Sequence, residues 1–362
     1  MRRWARRGAG ALAVVTLILA APVLWIETAC TTAREPGTLA RVPLVAERGY
    51  ARRESDSYLS FLEWHIVYAY EDLAGVLRRG DASDFAYDRQ IGRFWTSLCR
   101  LMRVVSARGP VGTDTKVMLY TIGWSFTAEL AVKGVYETTL GRLLEWLRGP
   151  GKTAEDEFVA QDMEAYARFL RQNPWYEYPF GRRLLAFWRS TPLGGRALAR
   201  KLERRVVVSL EYGTKAVYGA LIGYASGRAL GGADLEIHTV VRGLDGSDAA
   251  REPDMRIVRD LGGGRTLIRT PRYQAYTDLL IRLARRGRDV VEIAGNHRIL
   301  VTVLARPGTL PPLAGVVPVF EAPIQSRPFT RRVGLDVPVE QLAATIRTLE
   351  PAGIAVEHIY DY

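Results

Sequence analysis

The densest group of acid–base side chains in this chain is Glu63-Trp64-His65, with Tyr68 and Glu71 close behind it. A carboxylate and an imidazole are common partners in general acid–base catalysis and in metal binding. Here the spacing works against a single site. The apolar positions Leu59, Leu62, Ile66, Tyr70, Leu73 and Leu77 predict a helix from about Asp56/Ser57 to Gly80. On that helix Glu63 and His65 point about 200° apart. A pocket here needs a group from elsewhere, and Glu129, on another predicted helix, is the expected opposing carboxylate. Glu63, His65 and Glu129 are therefore the candidate catalytic residues. There is no HExxH and no Glu-x-x-His pair, so no metal site is expected. Nothing in the sequence asks for a cofactor.

Other patterns carry less. Gly123-Trp124-Ser125-Phe126-Thr127 lacks the second glycine of a nucleophile elbow and lies inside a predicted helix, not between strand and helix. Gly262-Gly263-Gly264 is followed by neither Lys-Ser/Thr nor a helix, so it reads as a hairpin turn and not a phosphate loop. His238, His297 and His358 are scattered over predicted strand ends, and strand alternation sets neighbours on opposite faces.

A repeated string is more suggestive. Glu129-x-x-x-Lys133-Gly-Val-Tyr136 mirrors Glu211-x-x-x-Lys215-Ala-Val-Tyr218. Both place Glu four residues before Lys, the favourable helical orientation, and both adjoin apolar runs. The expectation is that these two helices pack together near a polar cleft, with Glu211, Lys215 and Lys133 as binding residues. The aromatic segment containing Trp175, Tyr176, Tyr178 and Phe180 adds Trp175 and Tyr176 to that set. Gly219, Gly223 and Gly227, at four-residue spacing, lie on one helix face and predict close approach of another backbone.

These residues need elements to hold them. Periodicity predicts helices at about 84–107, from Thr113/Asp114 to Gly149-Pro150, 154–172 and 195–228. After Asp234 the pattern changes to strands at 235–241, 255–261, 265–270, 290–294, 299–304, 331–336 and 354–360, with helices at 273–286 and 339–349 and a Pro-rich linker at 307–328. Two stretches, 266–294 and 333–360, each run strand, helix, glycine, strand. Such units sharing one sheet predict a ferredoxin-like α+β sandwich.

The N-terminus adds a compartment. The basic head Met1-Arg2-Arg3-Trp4-Ala5-Arg6-Arg7 precedes the uncharged run Gly8–Ile26, which has the length of a bilayer crossing, about 17–25 residues. With the arginines on the cytoplasmic side, the expectation is a single-pass inner-membrane anchor and a periplasmic bulk. Cleavage after Ala33 is the alternative. Cys99 sits at helical spacing among Ile91, Phe94, Trp95, Leu98, Met102 and Val105 and reads as a buried free thiol; a bond to Cys30 is the other outcome outside the cytoplasm.

The net charge is +11, with 45 arginines and five lysines. The arginines are scattered as short pairs such as Arg204-Arg205 and carry no nucleic-acid motif. They read as solvated faces, and no nucleic-acid partner is expected.

The resulting expectation is an α+β chain: residues 1–27 as head and transmembrane anchor, 28–55 as tether, 56–232 as an all-α domain and 233–362 as the ferredoxin-like domain. Its expected role is non-catalytic binding of a lipid-like ligand or of a membrane partner. The alternative is an envelope enzyme with an acid–base or metal site in the helical domain; a third reading has the helices at 117–135 and 206–227 entering the bilayer.

Overall fold

Helices fill the chain up to residue 226 and strands begin at residue 236, in a computed structural model that describes residues 20–33, 42–47, 49–226 and 236–361. The helices are α1 (Glu54–Leu59), α2 (Phe61–Arg79), α3 (Tyr87–Arg108), α4 (Thr113–Tyr136), α5 (Arg142–Arg148), α6 (Ala154–Leu170), α7 (Phe180–Ser190) and α8 (Leu198–Ser226). A single π turn, Glu137–Gly141, joins α4 to α5 without a break. Thr153 caps α6, its hydroxyl accepting the Asp156 amide while the Asp156 carboxylate accepts the Thr153 amide, the reciprocal arrangement that satisfies two orphan donors.

The strands form two antiparallel sheets of four. The first holds β1 (Glu236–Arg242), β2 (Arg256–Gly262), β3 (Arg265–Pro271) and β4 (Asp289–Ile293), with α9 (Gly246–Arg251) after β1 and α10 (Gln274–Arg285) before β4. The second holds β5 (Arg298–Ala305), β6 (Val317–Ile324), β7 (Arg327–Pro338) and β8 (Ala355–Ile359), with α11 (Leu342–Leu349) before β8. The orders are β2-β3-β1-β4 and β6-β7-β5-β8. Both sheets therefore place their own second, third, first and fourth strands in the same sequence. Each also has a register break between its first and fourth strands, at Val240/Val241 and at Thr302/Val303.

Leu279, Leu280 and Leu283 of α10 and Leu342, Ile346 and Leu349 of α11 share one core with Ile237, Ile268 and Val290 of the first sheet and Val301, Leu335 and Ile359 of the second. The two helices thus fill the space between the sheets. The other face of the second sheet meets the helical region. Phe61 packs on Phe320 with ring centroids 4.5 Å apart, the Tyr58 hydroxyl donates to Asp336 and Ser57 donates to the Tyr360 carbonyl. Gly334 is required there, because a Cβ at that position would lie 2.3 Å from the Phe320 ring.

Several expectations are corrected. Among the described residues no helix is long and apolar enough to cross a membrane, so the single-pass transmembrane anchor and the inner-membrane placement drawn from it do not stand. Residues 8–19 of that segment lie outside the described residues. Its remainder is tied to protein: Ile26 is fully buried, and Glu27 accepts from Lys116 at 2.7 Å and from Tyr120 at 2.6 Å. Cys30 is bonded to Cys99, so the buried free thiol gives way to a disulfide. Part of the tether is held by the protein. Val45 and Tyr50 pack on Val240, Leu267 and Val291 of the first sheet, and Glu292 accepts from the Tyr50 hydroxyl at 2.6 Å. The Pro-rich linker contains β6, and the aromatic connection leads into α7.

Candidate functional site

The repeated Glu-Lys strings meet. Lys133 of α4 donates to Glu211 of α8 at 2.9 Å, and Lys215 of α8 pairs with Glu129 of α4 at 2.7 Å and with Glu211 at 3.3 Å. The pairing is crossed: each lysine reaches the other helix as well as, for Lys215, its own. Tyr70 of α2 donates to Glu129 at 2.5 Å. The Lys215 ammonium also faces the rings of Tyr70, Tyr166 and Phe180 at 5.3–5.5 Å, within cation–π range.

The ladder continues along both helices. Glu137, in the π turn, takes Arg204 at 2.8 Å, and Glu145 of α5 takes Arg200 at 3.1 Å. Partners at 129, 133, 137 and 145 on one side meet 215, 211, 204 and 200 on the other, so the helices are antiparallel. A stripe at every fourth residue drifts about 40° per step around an α-helix. The wider π turn takes back part of that drift and keeps Glu145 aimed at α8, a local departure of the kind often found where function or packing demands it. On α8 the step of three from Val208 to Glu211 does the same job. The signs along the ladder also set the register. A slip of one rung would put Glu137 opposite Glu211 and Lys133 opposite Lys215.

Flanking groups complete the seam. Asp156 holds Arg148 and Arg200 at 2.9 Å each, and Arg205 pairs with Glu155 at 3.3 Å. Asp162 of α6 accepts from Tyr212, Arg183 and Tyr178. Arg200, Arg204 and Arg205 are buried, which corrects their reading as part of a solvated face.

Burial and pairing pull on the titrating groups in opposite directions. For Glu211 burial pushes upward, but the ammoniums of Lys133 and Lys215 outweigh it and hold the carboxyl down at about 2. Lys215 is held well above the usual lysine value: burial opposes the charge, and Glu129, Tyr70 and Glu211 overcome it. Glu129 is lowered, its burial outweighed chiefly by Lys215. Glu145 and Glu203 go the other way, because burial exceeds what the nearby arginines return.

The candidate catalytic residues do not converge. His65 lies in the α2–α3–α4 core, edge-on to Phe94 and Phe126, with Nε2 3.1 Å from the Gln90 carbonyl. Burial lowers it to about 4, so it is neutral at physiological pH. Glu63 stands at the opposite side of the helix, raised by burial with only partial relief from Arg272. Glu129 belongs to the ladder. No hydrogen bond joins these three. Among the described residues no group of His, Cys, Asp and Glu is placed to hold a metal ion. The space beside the ladder amounts to about 10 Å³, room for about one water and not for a substrate.

Two of the helix-packing glycines face the aromatic connection. A Cβ at Gly219 would meet the Tyr176 carbonyl oxygen at 3.1 Å and one at Gly223 would meet the Tyr176 ring at 3.9 Å. Trp175 stacks on Tyr218 with centroids 5.5 Å apart. Trp175 and Tyr176 thus pack against α8 and help hold it in place. Gly227 lies outside the described residues.

What the sequence analysis missed is the outer surface of these same helices. From residue 117 to 147 every exposed residue is uncharged except Arg142, and from 198 to 224 every exposed residue is uncharged. The large apolar ones include Val132 (73 % exposed), Trp146 (76 %), Val206 (59 %), Leu210 (66 %) and Leu221 (63 %). Charges face inward and apolar side chains face out, the reverse of a solvated helix pair. The signal was present in the sequence: 202, 206, 210, 217, 221 and 224 are apolar at helical spacing on the face opposite Arg204, Glu211 and Lys215. Comparison with protein-family models, with curated proteins and with solved structures finds no match to this chain.

Proposed function

We propose that this chain is a non-catalytic binding protein that engages an apolar partner through the outer faces of α4, α5 and α8. The observation that carries the reading is the exposed face of α4, α5 and α8, uncharged from residue 117 to 147 except for Arg142 and from 198 to 224 throughout, above charged residues that are turned inward. Contiguous exposed apolar surface of this kind marks interaction sites on folded proteins. The ladder beneath is then a strut: it fixes the register of the two helices, so the face is presented as one rigid surface. Among the described residues Glu63, His65 and Glu129 do not converge, and the space beside the ladder, about 10 Å³, holds no substrate, so the enzyme reading has less behind it.

We infer also that the C-terminal region is a tandem pair of ferredoxin-like units. The support is the shared strand order, the antiparallel pairing throughout, and a helix between the third and fourth strand of each unit. In this reading the pair is a scaffold that holds α1 and α2, and through them the helical region.

The test places a photo-crosslinking residue at position 210 in cells, with Arg259, exposed on the first sheet, as the control position. Adducts from position 210 and none from 259 support the reading. Equal yields, or none from either, refute it.

A further inference from the structure

The apolar face has a charged border on one flank. α7 lies antiparallel to α8, with Trp188 donating to Ser209 at 3.0 Å and Thr191 accepting from Arg205. Along α7, Leu185 (50 % exposed) and Trp188 (46 %) extend the apolar surface of α8. Interleaved with them are Arg182 and Arg189, and Arg196 follows in the loop that leads to α8; all three are exposed. None of the three makes an ion pair among the described residues, whereas Arg148, Arg200, Arg204 and Arg205 beneath them are all paired with carboxylates. On α5, Arg142 stands beside Leu143 and Trp146 and bonds only the Ser83 carbonyl.

This combination is specific. A second protein copy offering the same face would bring its own arginines to the border and no carboxylates to meet them. An anionic lipid surface supplies what is missing: acyl chains for the uncharged residues and phosphates for the unpaired guanidiniums. Tryptophan beside arginine is the composition of a membrane–water boundary, because the indole ring is apolar with one polar edge. A helix with apolar and cationic residues on its outer side lies in the plane of the interface and need not cross it.

The geometry points to a bilayer surface containing anionic lipid as the occupant: the outer faces of α4, α5, α7 and α8 lie in the headgroup–acyl boundary, and Arg182, Arg189, Arg196 and Arg142 bind lipid phosphates. This deepens the preceding proposal and rests on its apolar face. It invokes no membrane-crossing helix.

The experiment is flotation of the full chain with vesicles of equal parts phosphatidylglycerol and phosphatidylcholine, and with vesicles of phosphatidylcholine alone. The variants are Val206→Glu/Leu210→Glu and Arg182→Gln/Arg189→Gln/Arg196→Gln, with Val206→Ser/Leu210→Ser in reserve should the glutamates disturb folding. The wild type should float with the anionic vesicles. At about 1 kcal/mol per arginine near an anionic surface, the triple arginine variant should bind roughly a hundredfold more weakly. The face variants should lose binding to both vesicle types. Equal binding to neutral and anionic vesicles, or an unchanged arginine variant, overturns the lipid assignment. If no vesicle is bound but the wild type self-associates and Val206→Glu/Leu210→Glu is monomeric, the lipid assignment falls while the apolar binding face stands. If the face variants alter neither flotation nor association, both fall.

Discussion

Removing one carboxylate from the ladder gives its sharpest test. In Glu211→Gln the side chain keeps its size and loses its charge. Lys133 then loses the carboxylate it bonds at 2.9 Å, and Lys215 keeps Glu129. The Glu211 carboxyl is held at about 2, against an ordinary value of 4.5. At about 1.4 kcal/mol per unit that difference contributes roughly 3 kcal/mol at neutral pH. The side chain is 22 % exposed, so solvent screening takes a share and about 2–3 kcal/mol is the working figure. The sign follows from the lowered value. The contribution is present above the unfolded carboxyl's range, near 4.5, and is lost as pH falls toward 2. Thermal melts at pH 7 should therefore show Glu211→Gln lower by roughly 3–4 °C. Between pH 5 and pH 2.5 the wild type should lose more stability than the variant. The double variant Lys133→Met/Glu211→Gln removes the stranded ammonium and should recover part of the loss, because breaking a buried pair costs more than replacing both partners. A Glu211→Gln melt within 1 °C of wild type, or strictly additive single and double variants, would refute the account of a coupled buried ladder.

Three further outcomes follow from other contacts. Gly223→Ala should stabilise by about 0.5–1 kcal/mol, since a Cβ there meets Tyr176 at an ordinary 3.9 Å and alanine favours helix; Gly219→Ala, whose Cβ would press on the Tyr176 carbonyl oxygen at 3.1 Å, should gain less or lose. Urea melts that rank the two in the opposite order contradict the packing described. Reducing the Cys30–Cys99 bond opens a link across 69 residues and should cost about 4 kcal/mol on the chain-entropy scale; no change in urea midpoint on adding reductant would count against it. Asp361 is pushed up to about 7 by burial, with Arg272 compensating only in part, so its ionisation opposes folding increasingly as pH rises from about 4 to 7, and Asp361→Asn should gain stability over wild type at pH 8 but not at pH 4. Parallel pH–stability curves for the two proteins would exclude this.

The ladder was half legible in the sequence. Glu129, Lys133, Glu211 and Lys215 announced themselves because the same string occurs twice beside apolar runs. Arg200, Arg204 and Arg205 did not, because their partners Glu137, Glu145, Asp156 and Glu155 lie 44–67 residues away and no local pattern links them. The π turn at Glu137–Gly141 leaves no compositional mark. β6 was hidden by Pro318 and Pro323, which suggest a linker; as an edge strand beside β7 it tolerates residues that cannot donate. The strap at 42–52 was unreadable for a similar reason, since what makes it ordered is the distant carboxylate of Glu292 and the carbonyl of Ala294. The divergence of His65 and Glu63 follows from helical phase, which is a local property. Whether Glu129 reached them depended on packing, and it did not.

The chain is closed on itself like a clasp. Its first helix after the strap rests on the second sheet, through Ser57 to the Tyr360 carbonyl beside β8 and Tyr58 to Asp336 of β7. Those contacts join residues about 280–300 apart in sequence, separations that slow folding because so much chain must be ordered before they form. During synthesis, α1 and α2 leave the ribosome long before their partner strand exists. Phe61 and Tyr68 stay uncovered until Phe320, Arg332 and Tyr360 have been made. A pause in synthesis between the helical region and the second sheet would therefore hold α1 and α2 without their seat, and the chain's vulnerability to aggregation or proteolysis is concentrated in that interval.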